Sequence, residues 1–304
     1  MSGTRINNLK LVKVVDGDTI KVELDGEVES LRLCCLDTEE SLHGSSKPVT
    51  NAGKLASKWA KGFFEADEDG LPRADIRVHI EFDTNDPVTV CLKKHRGNYN
   101  RLICYVYKDG MNYNIQAVRQ GWSPYFVKYG RSRLYHNEFL AAEMKAQAES
   151  VGIWDPAINA GGESRDYDLL FPWWHLRDSV VEGYRKFGIQ GGVKSVRLDY
   201  EEILDAAKAK SVLTVFCDLQ KGINKWLGDA ALIYAGSPTH KFNLWIPDIY
   251  TPEAQQVLNV IETRYSGFGK GYVYVTGEAS LYNGRPQIVI EDISQISDIP
   301  PGQG

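Results

Sequence analysis

Residues 19 to 35 alternate between apolar and polar side chains, which is the pattern of β-strands with one buried face. One apolar series runs from Ile20 to Leu24, and a second runs from Leu31 to Cys35. Asp25-Gly26 lies between them and is a strong hairpin signal. The pattern therefore predicts two antiparallel strands, with the residues just before the first strand and just after the second at the same end of the hairpin.

The rest of the first half predicts further strands and helices. Apolar residues recur at helical spacing from Ala52 to Phe63, behind Thr50 and Asn51, which are good helix caps. A longer helix is predicted at about 136 to 150, with Gly152 at its end. Strands are predicted at residues 76–82, 88–92 and 102–107, followed by a short helix capped by Asn114.

The pattern changes after Trp154, where a stretch rich in Gly, Pro and Asp predicts a linker. A helix is predicted at about 172 to 187, since Pro172 suits a first turn and Gly188 ends the apolar stripe. The order that follows is helix, three strands, helix and two strands, which is the strand order of an oligonucleotide-binding (OB) barrel. The predicted elements are a helix from Asp199 to Ala209, strands at 211–218, 229–235 and 241–246, a helix from Pro252 to Arg264, and strands at 271–279 and 286–291.

Two domains are expected, because 304 residues with 43% hydrophobic content are enough for two cores. We place a first domain at residues 1–156, a linker with an amphipathic helix at 157–198, and a second domain at 199–304. The expected fold class is mainly β with α (α+β), built from two five-stranded OB-type barrels that a helical linker joins.

Candidate metal-binding residues lie at one end of the first hairpin. Asp18 stands just before the first strand and Asp37 just after the second, so their carboxylates should meet. Two adjacent carboxylates repel unless a cation lies between them, and hard oxygen ligands favour Ca²⁺ or Mg²⁺ over zinc. Taken alone, Asp16-Gly17-Asp18 is more typical of a plain turn, because Asp and Gly dominate turns.

Six motifs in order resemble those of the staphylococcal (micrococcal) nuclease family, the thermonucleases. They are Val15 to Thr19, Leu31 to Leu33, Asp37 to Ser41, Tyr99 to Tyr107, Val118 to Trp122 and Gly152 to Trp154. The resemblance covers residues 8 to 154, about half of the chain. It implies a five-stranded barrel with three helices packed around it, and Ca²⁺-dependent hydrolysis of DNA and RNA. The end of the chain resembles, less specifically, the last hairpin of OB domains of the tRNA-anticodon and replication types.

The resemblance also implies a metal site. Asp18 and Asp37 fall on the two calcium carboxylates of that family, and Thr38 falls on the position whose backbone carbonyl binds the ion. Asp16 falls on an acidic position near the metal and is taken as supporting. Calcium is the expected cofactor, and Mg²⁺ or another divalent ion is the alternative.

The catalytic roles follow from the same resemblance. Glu40 falls on the carboxylate that positions or deprotonates the attacking water, and Arg32 and Arg101 fall on the two guanidinium groups that hold the phosphate. Fixed cations aimed at the phosphate oxygens lower the barrier, and arginine meets such oxygens bidentately. Two residues depart from the family: Glu39 stands where it commonly has Pro, and Asn100 where it commonly has Gly. A strand ion pair for Arg32 and a plain loop charge at Glu40 are the structural alternatives.

Aromatic and basic residues give weaker signals. By family position Tyr129, and less directly Tyr99, could stack on a base or bind a terminal phosphate, but aromatic runs are equally typical of packing. The run Lys93 to Arg96 could follow a nucleic-acid backbone or be a solvated loop. In the second domain, basic and aromatic residues of the kind that OB barrels present are Lys221, Lys225, Trp226, Lys241, Trp245, Tyr274 and Arg285.

Charge and composition limit the kinds of partner that are expected. The net charge is −5, and the whole deficit lies after residue 154, whereas non-specific polyanion binders are normally basic. Nucleic acid, with single strands of DNA or RNA favoured, remains the expected partner, and a purely structural or dimerising second domain is the alternative. No run of 18 apolar residues occurs, so no membrane partner is expected. Five cysteines, an odd number, favour a reducing compartment, hence the cytoplasm, or secretion if a signal was trimmed. The sequence does not indicate an oligomeric state.

The predicted function is a calcium-dependent nuclease, a metal-dependent phosphodiesterase whose second domain helps to bind substrate. The alternative is a non-catalytic scaffold that keeps the barrel for binding nucleic acid or protein. A scaffold of that kind would be expected to lose the arginine pair or Glu40, and all three residues are present.

Overall fold

The structure, a computed structural model, describes residues 2–43, 47–159 and 164–303. It forms two compact units. The first comprises the chain up to Val127 together with Arg131–Tyr167, and the second comprises Lys128–Gly130 together with the chain from Asp168 onward. None of the helices in these described ranges is long and apolar enough to cross a membrane.

Five strands of the first unit close into a barrel. The strands of this unit are β1 (Arg5–Asp16), β2 (Thr19–Leu24), β3 (Glu27–Leu33), β4 (Arg77–Glu81), β5 (Leu102–Lys108) and the two-residue β6 (Met111–Asn112). Antiparallel pairing runs in the order β3-β2-β1-β4-β5-β6, and parallel pairing of β3 with β5 closes the ring. This arrangement confirms the predicted nuclease-like barrel.

The barrel core follows from the alternation along the first hairpin. Ile20 and Val22 on β2 are fully buried, and so is Leu31 on β3, which pairs with Ile20. Asp25 and Gly26 between the strands have φ values of 52° and 83°. Positive φ at both central residues is what a type I′ turn requires, and its twist matches that of the strands. The hairpin thus holds Thr19 opposite Arg32, at the end where the candidate site lies.

Helices cover the barrel. In the first unit they are α1 (Asn51–Phe63), α2 (Val88–Lys94), α3 (Tyr113–Arg119), α4 (His136–Ala148) and the short α5 (Pro156–Asn159). The predicted cap of α1 is confirmed, because the Thr50 hydroxyl accepts a hydrogen bond from the Gly53 amide at 3.0 Å. The longer helix that was predicted at about 136 to 150 is confirmed as α4.

Two local predictions in this unit are wrong. Residues 88–92 form α2 and not a strand, because Pro87 precedes a turn that buries only Cys91, so the β-branched residues there have no sheet face to cover. Asn112 and not Asn114 caps α3, by accepting from the Ile115 amide at 3.2 Å. Asn114 is buried inside the helix, and its amide group bonds the backbone of β5 and of the β3 end.

The second unit is built on an eight-stranded mixed sheet. Its strands are β7 (Lys194–Ser195), β8 (Val212–Asp218), β9 (Lys225–Leu227), β10 (Ala230–Tyr234), β11 (Asn243–Ile246), β12 (Tyr272–Tyr282), β13 (Arg285–Val289) and β14 (Ile296–Ser297). The order is β7-β8-β12-β13-β11-β10-β9, and β14 pairs with β12. A second β domain is therefore present, and the sequence missed its three short strands β7, β9 and β14.

Two of the three helices of this region end in a π-helical turn. The helices are α6 (Tyr167–Gly183), continued by Tyr184–Gly188, then α7 (Tyr200–Lys208), and α8 (Pro252–Val260), continued by Ile261–Tyr265. The predicted start of α6 at about residue 172 is wrong, since Pro172 lies inside the helix. A proline inside a helix removes one hydrogen bond. The helix nevertheless begins at Tyr167, which is buried in the first unit.

The cysteines are free thiols, and four of the five are buried. Burial raises the pKa of Cys91 to about 11, and it raises the pKa of Cys104 and Cys217 as well. A thiol that stays protonated is a poor nucleophile. The prediction that the cysteines are small buried hydrophobes is confirmed for all but Cys34, which is partly exposed.

Glu143 on α4 provides a test of the packing of the first unit. Burial raises its pKa to about 7, although a hydrogen bond from the Tyr125 amide at 2.8 Å opposes the shift. Because the ordinary pKa is 4.5, ionising Glu143 costs stability as the pH rises from that value through about 7. We predict that Glu143→Gln raises the free energy of unfolding at pH 8 by on the order of 1 kcal/mol and leaves it unchanged below about pH 4.

Denaturant unfolding of both proteins at the two pH values measures this difference. Glu138→Gln on the same helix is the control, because Glu138 is exposed. Equal stability of the parent chain and Glu143→Gln at pH 8 would contradict the prediction.

Candidate active site

Arg32 joins the two predicted calcium carboxylates. Its Nη1 contacts Asp18 Oδ2, and its Nη2 lies 2.7 Å from Asp37 Oδ1 and 3.0 Å from the carbonyl of Leu36. Burial alone would lower the pKa of Arg32, but the charges of Asp18 and Asp37 raise it. The structure thus brings these three predicted residues together at one end of the first hairpin.

Close packing fixes the turn that carries Asp18. The Tyr113 hydroxyl donates to the carbonyl of Gly17 at 2.7 Å, and the Leu33 amide donates to the carbonyl of Asp18 at 2.9 Å. A Cβ atom on Gly17 would lie 2.8 Å from Thr38 Cγ2, so a larger residue would force the buried Thr38 side chain to move. The turn is therefore held against the loop that carries Asp37 and Thr38.

Asp16 supports the neighbouring loop. Its carboxylate accepts from the Gly17 amide at 2.7 Å and from the Ser41 amide at 3.4 Å. Burial raises the pKa of Asp16, with a further increase from the nearby Asp18 charge. This predicted supporting residue lies beside the site and ties the start of the 41–43 segment to the turn.

Asp37 is surrounded by positive charge. Besides Arg32, its carboxylate meets Arg165 Nη1 at 2.6 Å and Lys47 Nζ at 3.5 Å. Burial alone would raise the pKa of Asp37, but Arg165, Arg32 and Lys47 together lower it to about 2. The carboxylate is therefore ionised at all physiological pH values.

Arg165 is a site residue that the sequence analysis missed. It also donates to the backbone carbonyls of Asp37 at 2.9 Å and of Thr38 at 2.6 Å. The second of these is the carbonyl expected to bind calcium. Arg165 follows the turn-rich linker and belongs to none of the six motifs, so no signal in the sequence pointed to it.

The two adjacent glutamates have different environments. Glu39 is buried, and its Oε1 accepts from the Arg165 amide and from the Tyr167 hydroxyl, both at 3.1 Å. Its Oε2 has no hydrogen-bond partner within the described part of the chain. Glu40 is more exposed and lies 3.7 Å from Lys47 Nζ. Glu40 is thus the glutamate that solvent can reach.

Helix α1 fixes the backbone of this pair of glutamates. A Cβ atom on Gly53 would lie 2.1 Å from the carbonyl oxygen of Glu40, so only glycine allows the helix to approach so closely. The Thr50 amide donates to the same carbonyl at 3.1 Å. The start of the helix therefore holds Glu40 at the edge of the site.

Arg101, which directly precedes β5, lies near Arg32 of β3 at the start of β2. Its Nη1 donates to Thr19 Oγ1 at 3.0 Å, and Thr19 pairs with Arg32 across the hairpin. Burial lowers the pKa of Arg101, and so does the charge of Arg32. Asn100 has a φ of 61°, a conformation that glycine prefers and asparagine tolerates, so the departure at this position is accommodated.

The two candidate tyrosines are both exposed. Tyr99 is 75% exposed, with its ring centre 5.7 Å from the guanidinium carbon of Arg101. Tyr129 is 46% exposed and belongs to the second unit, where Lys128 and Arg177 lie near its ring. Tyr99 therefore lies next to a candidate phosphate-binding arginine, and Tyr129 is part of the second unit.

Of the basic run, Arg96 is structural. Its guanidinium forms a two-point ion pair with Glu29 on β3, at 3.1 and 2.9 Å.

In the second unit, Tyr274 is buried against Phe216, so the expectation that it lies on a binding face is wrong. Trp226 on β9 is 58% exposed, and the neighbouring Lys225 is exposed as well.

The oxygens of the site suit a cation. In residues 2–43, 47–159 and 164–303, no three His, Cys, Asp or Glu side chains converge as a metal site. The predicted set relies instead on two carboxylates and the backbone carbonyl of Thr38. These are hard oxygen ligands, and the Asp37 and Thr38 oxygens already hold the positive guanidinium of Arg165. The donor set therefore fits Ca²⁺ or Mg²⁺.

The first half of the chain is similar to known proteins. Residues 30–156 match the family model described as staphylococcal nuclease homologue. The chain is 30% identical to the SPbeta prophage-derived endonuclease YokF of Bacillus subtilis, over 48% of this chain and 44% of that protein. It is 32% identical to an uncharacterized protein of Methanocaldococcus jannaschii, over 49% of this chain and 72% of the other. It is 26% identical to the thermonuclease of Staphylococcus hyicus, over 51% of this chain and 79% of that protein.

The hydroxyl of Tyr113 provides a test of how the Asp18 turn is held. Tyr113→Phe keeps the buried ring and loses the hydrogen bond to Gly17, so we predict that the free energy of unfolding falls by about 1 kcal/mol. Tyr99→Phe is the matched control and should leave stability unchanged, since Tyr99 is exposed. Chemical denaturation measures both, and equal values for the two variants would contradict the role of Tyr113.

Proposed function

Because the chain belongs to the staphylococcal nuclease family, we propose that it is a divalent-metal-dependent nuclease that hydrolyses phosphodiester bonds in DNA, RNA or both. The observation that carries the proposal is the grouping of Arg32 and Arg101 at the barrel end that also holds Asp18 and Asp37. The chain spans 44% of the length of one endonuclease relative and 63% of another, Endonuclease YncB of Bacillus subtilis. The activity of the whole protein is therefore inferred from the site.

The two arginines account for phosphate binding. Hydrolysis of a phosphodiester increases negative charge on the non-bridging oxygens, and fixed cations aimed at them stabilise the transition state more than the substrate. Thr19 connects the two arginines, because it pairs with Arg32 across the hairpin and its hydroxyl accepts a hydrogen bond from Arg101. Both guanidinium groups can meet phosphate oxygens bidentately. Arg32, which here bridges Asp18 and Asp37, becomes available to a phosphate when another cation takes over these carboxylates.

The metal would be held by the carboxylates of Asp18 and Asp37 and the carbonyl of Thr38. Calcium is the ion that we favour, and when bound it would polarise the phosphate and orient the attacking water. Glu40 is the proposed general base, because it is the more exposed of the two glutamates and shares the Lys47 ammonium group with Asp37. Positioned bases of this type typically contribute about 10²- to 10⁴-fold to the rate.

The second unit is proposed to be a partly open OB-type domain that helps to bind single-stranded nucleic acid. Strands β8 and β10–β13 pair in an order that supports this interpretation, with β13 between β12 and β11. Trp226 and Lys225 on the edge strand β9 are both exposed and supply a ring and a positive charge. Rings of this kind stack on bases without sequence preference.

We predict that Glu40→Gln and Arg101→Ala each lower Ca²⁺-dependent cleavage of a fluorescent single-stranded oligonucleotide by about 10²-fold or more. Both variants should keep the fold, because neither side chain belongs to the core. Glu68→Gln and Arg73→Ala are matched controls on exposed positions. The assay is run with Ca²⁺, with Mg²⁺ and with chelator.

Cleavage by both variants at the rate of the parent chain would contradict the assigned roles. If the parent protein binds the oligonucleotide and leaves it intact under all three conditions, the non-catalytic scaffold is the better description.

We also predict that Trp226→Ala weakens binding of single-stranded oligonucleotide about tenfold, since stacking of one base on an aromatic ring is worth about 1–3 kcal/mol. Tyr250→Ala is the control, because Tyr250 is 71% exposed and lies outside strand β9. Fluorescence anisotropy measures both affinities. Unchanged binding by Trp226→Ala would contradict an accessory role for this edge of the domain.

A further inference from the structure

We infer that Arg165 is an internal cation of the active site: it occupies the oxygens that would bind the metal, and a divalent ion binds only when Arg165 leaves. The inference rests on the metal site of the proposed function and extends it. It assigns a regulatory role to a residue outside all six motifs of the resemblance.

The contacts of Arg165 are those expected of a bound cation. Its guanidinium donates to Asp37 Oδ2 at 2.6 Å, to the Asp37 carbonyl at 2.9 Å and to the Thr38 carbonyl at 2.6 Å. Two of these three oxygens belong to the predicted metal site. A guanidinium and a divalent ion on the same oxygens would repel each other strongly at such short separation. Their binding is therefore mutually exclusive.

Arg165 is separate from the arginine that the barrel supplies. Arg32 extends from β3 and takes Asp18 Oδ2 and Asp37 Oδ1. Arg165 takes the other Asp37 oxygen and reaches the backbone of Thr38, which Arg32 does not contact. Removing Arg165 thus frees Asp37 Oδ2 and the Thr38 carbonyl, whereas Arg32 stays on its own carboxylate oxygens in the variant as in the parent chain.

The backbone around Arg165 is held as well as its side chain. The Arg165 amide and the Tyr167 hydroxyl both donate to Glu39 Oε1 at 3.1 Å, and Tyr167 is buried. Glu39 stands at the position where the resembling nucleases commonly have Pro, a residue with no carboxylate to accept these bonds. This departure from the family therefore gives the 164–167 segment its anchor.

An internal competitor weakens the apparent affinity for the metal. When only a fraction of the molecules has the site free, the apparent Kd rises by the inverse of that fraction. Replacing Arg165 by a neutral residue removes the competition at Asp37 Oδ2 and at the Thr38 carbonyl. We predict that Arg165→Ala binds Ca²⁺ at least tenfold more tightly than the parent chain.

Isothermal titration of the full chain with Ca²⁺ alone tests the inference. Arg165→Gln keeps much of the side-chain size without the charge and should behave like Arg165→Ala. Tyr167→Phe loosens the anchor and should tighten Ca²⁺ binding by a smaller factor. Arg119→Ala, which removes a charge paired with Glu149 elsewhere in the same unit, should leave the affinity unchanged. Asp18→Asn should abolish binding at this site.

Equal or weaker Ca²⁺ affinity in both folded Arg165 variants would overturn the inference, and so would the absence of Ca²⁺ binding in every variant. Circular dichroism and thermal unfolding verify that each variant is folded, and Tyr167→Phe replaces the Arg165 variants if they do not fold. Cleavage is measured separately. Tighter Ca²⁺ binding by the Arg165 variants without any cleavage would support the role of Arg165 and contradict the nuclease function. Cleavage together with unchanged Ca²⁺ affinity would support the nuclease function and contradict the role of Arg165.

Discussion

The candidate site depends on the burial of negative charge at Asp37. A buried carboxylate is costly unless cations and hydrogen bonds compensate it. Here Arg32, Arg165 and Lys47 meet the carboxylate, and together they outweigh the effect of burial on its pKa. The Asp37 carboxylate therefore needs positive charge beside it, which these side chains provide and which a metal ion could also provide.

The barrel makes this arrangement rigid. Pairing of β2 with β3 sets Thr19 opposite Arg32, and the closed ring of strands leaves that register no freedom to shift by one residue. Tyr113 and Gly53 then bring two helices against the loops that carry Asp18 and Glu40. The reactive groups therefore lie on loops whose positions the scaffold determines, as is usual for enzymes.

The sequence predicted the parts of the molecule that depend on short-range pattern. Alternation along the first hairpin and the cap at Thr50 were sufficient to place β2, β3 and α1. Prediction failed where distant contacts decide the structure. The β-branched residues near Val88 favour a strand locally, but they lie on the outside of a short helix. Tyr167 begins α6 upstream of Pro172, and its partner Glu39 is 128 residues away along the chain.

Arg165 shows the same limit for the active site. Family motifs pointed to Asp18, Arg32, Asp37 and Arg101, which lie in or near strands β2, β3 and β5 of the barrel. Arg165 reaches Asp37 from a linker, and only the three-dimensional structure shows that contact. Its position suggests that the ion-binding oxygens exchange one cation for another.

The most direct test of this account is a crystal structure of the full chain grown with Ca²⁺ and a short, uncleavable oligonucleotide. The account predicts calcium on Asp18, Asp37 and the Thr38 carbonyl, Arg165 displaced from these oxygens, and Arg32 and Arg101 in contact with one phosphate. A calcium ion bound elsewhere, with Arg165 still on Asp37 and the phosphate away from both arginines, would contradict it.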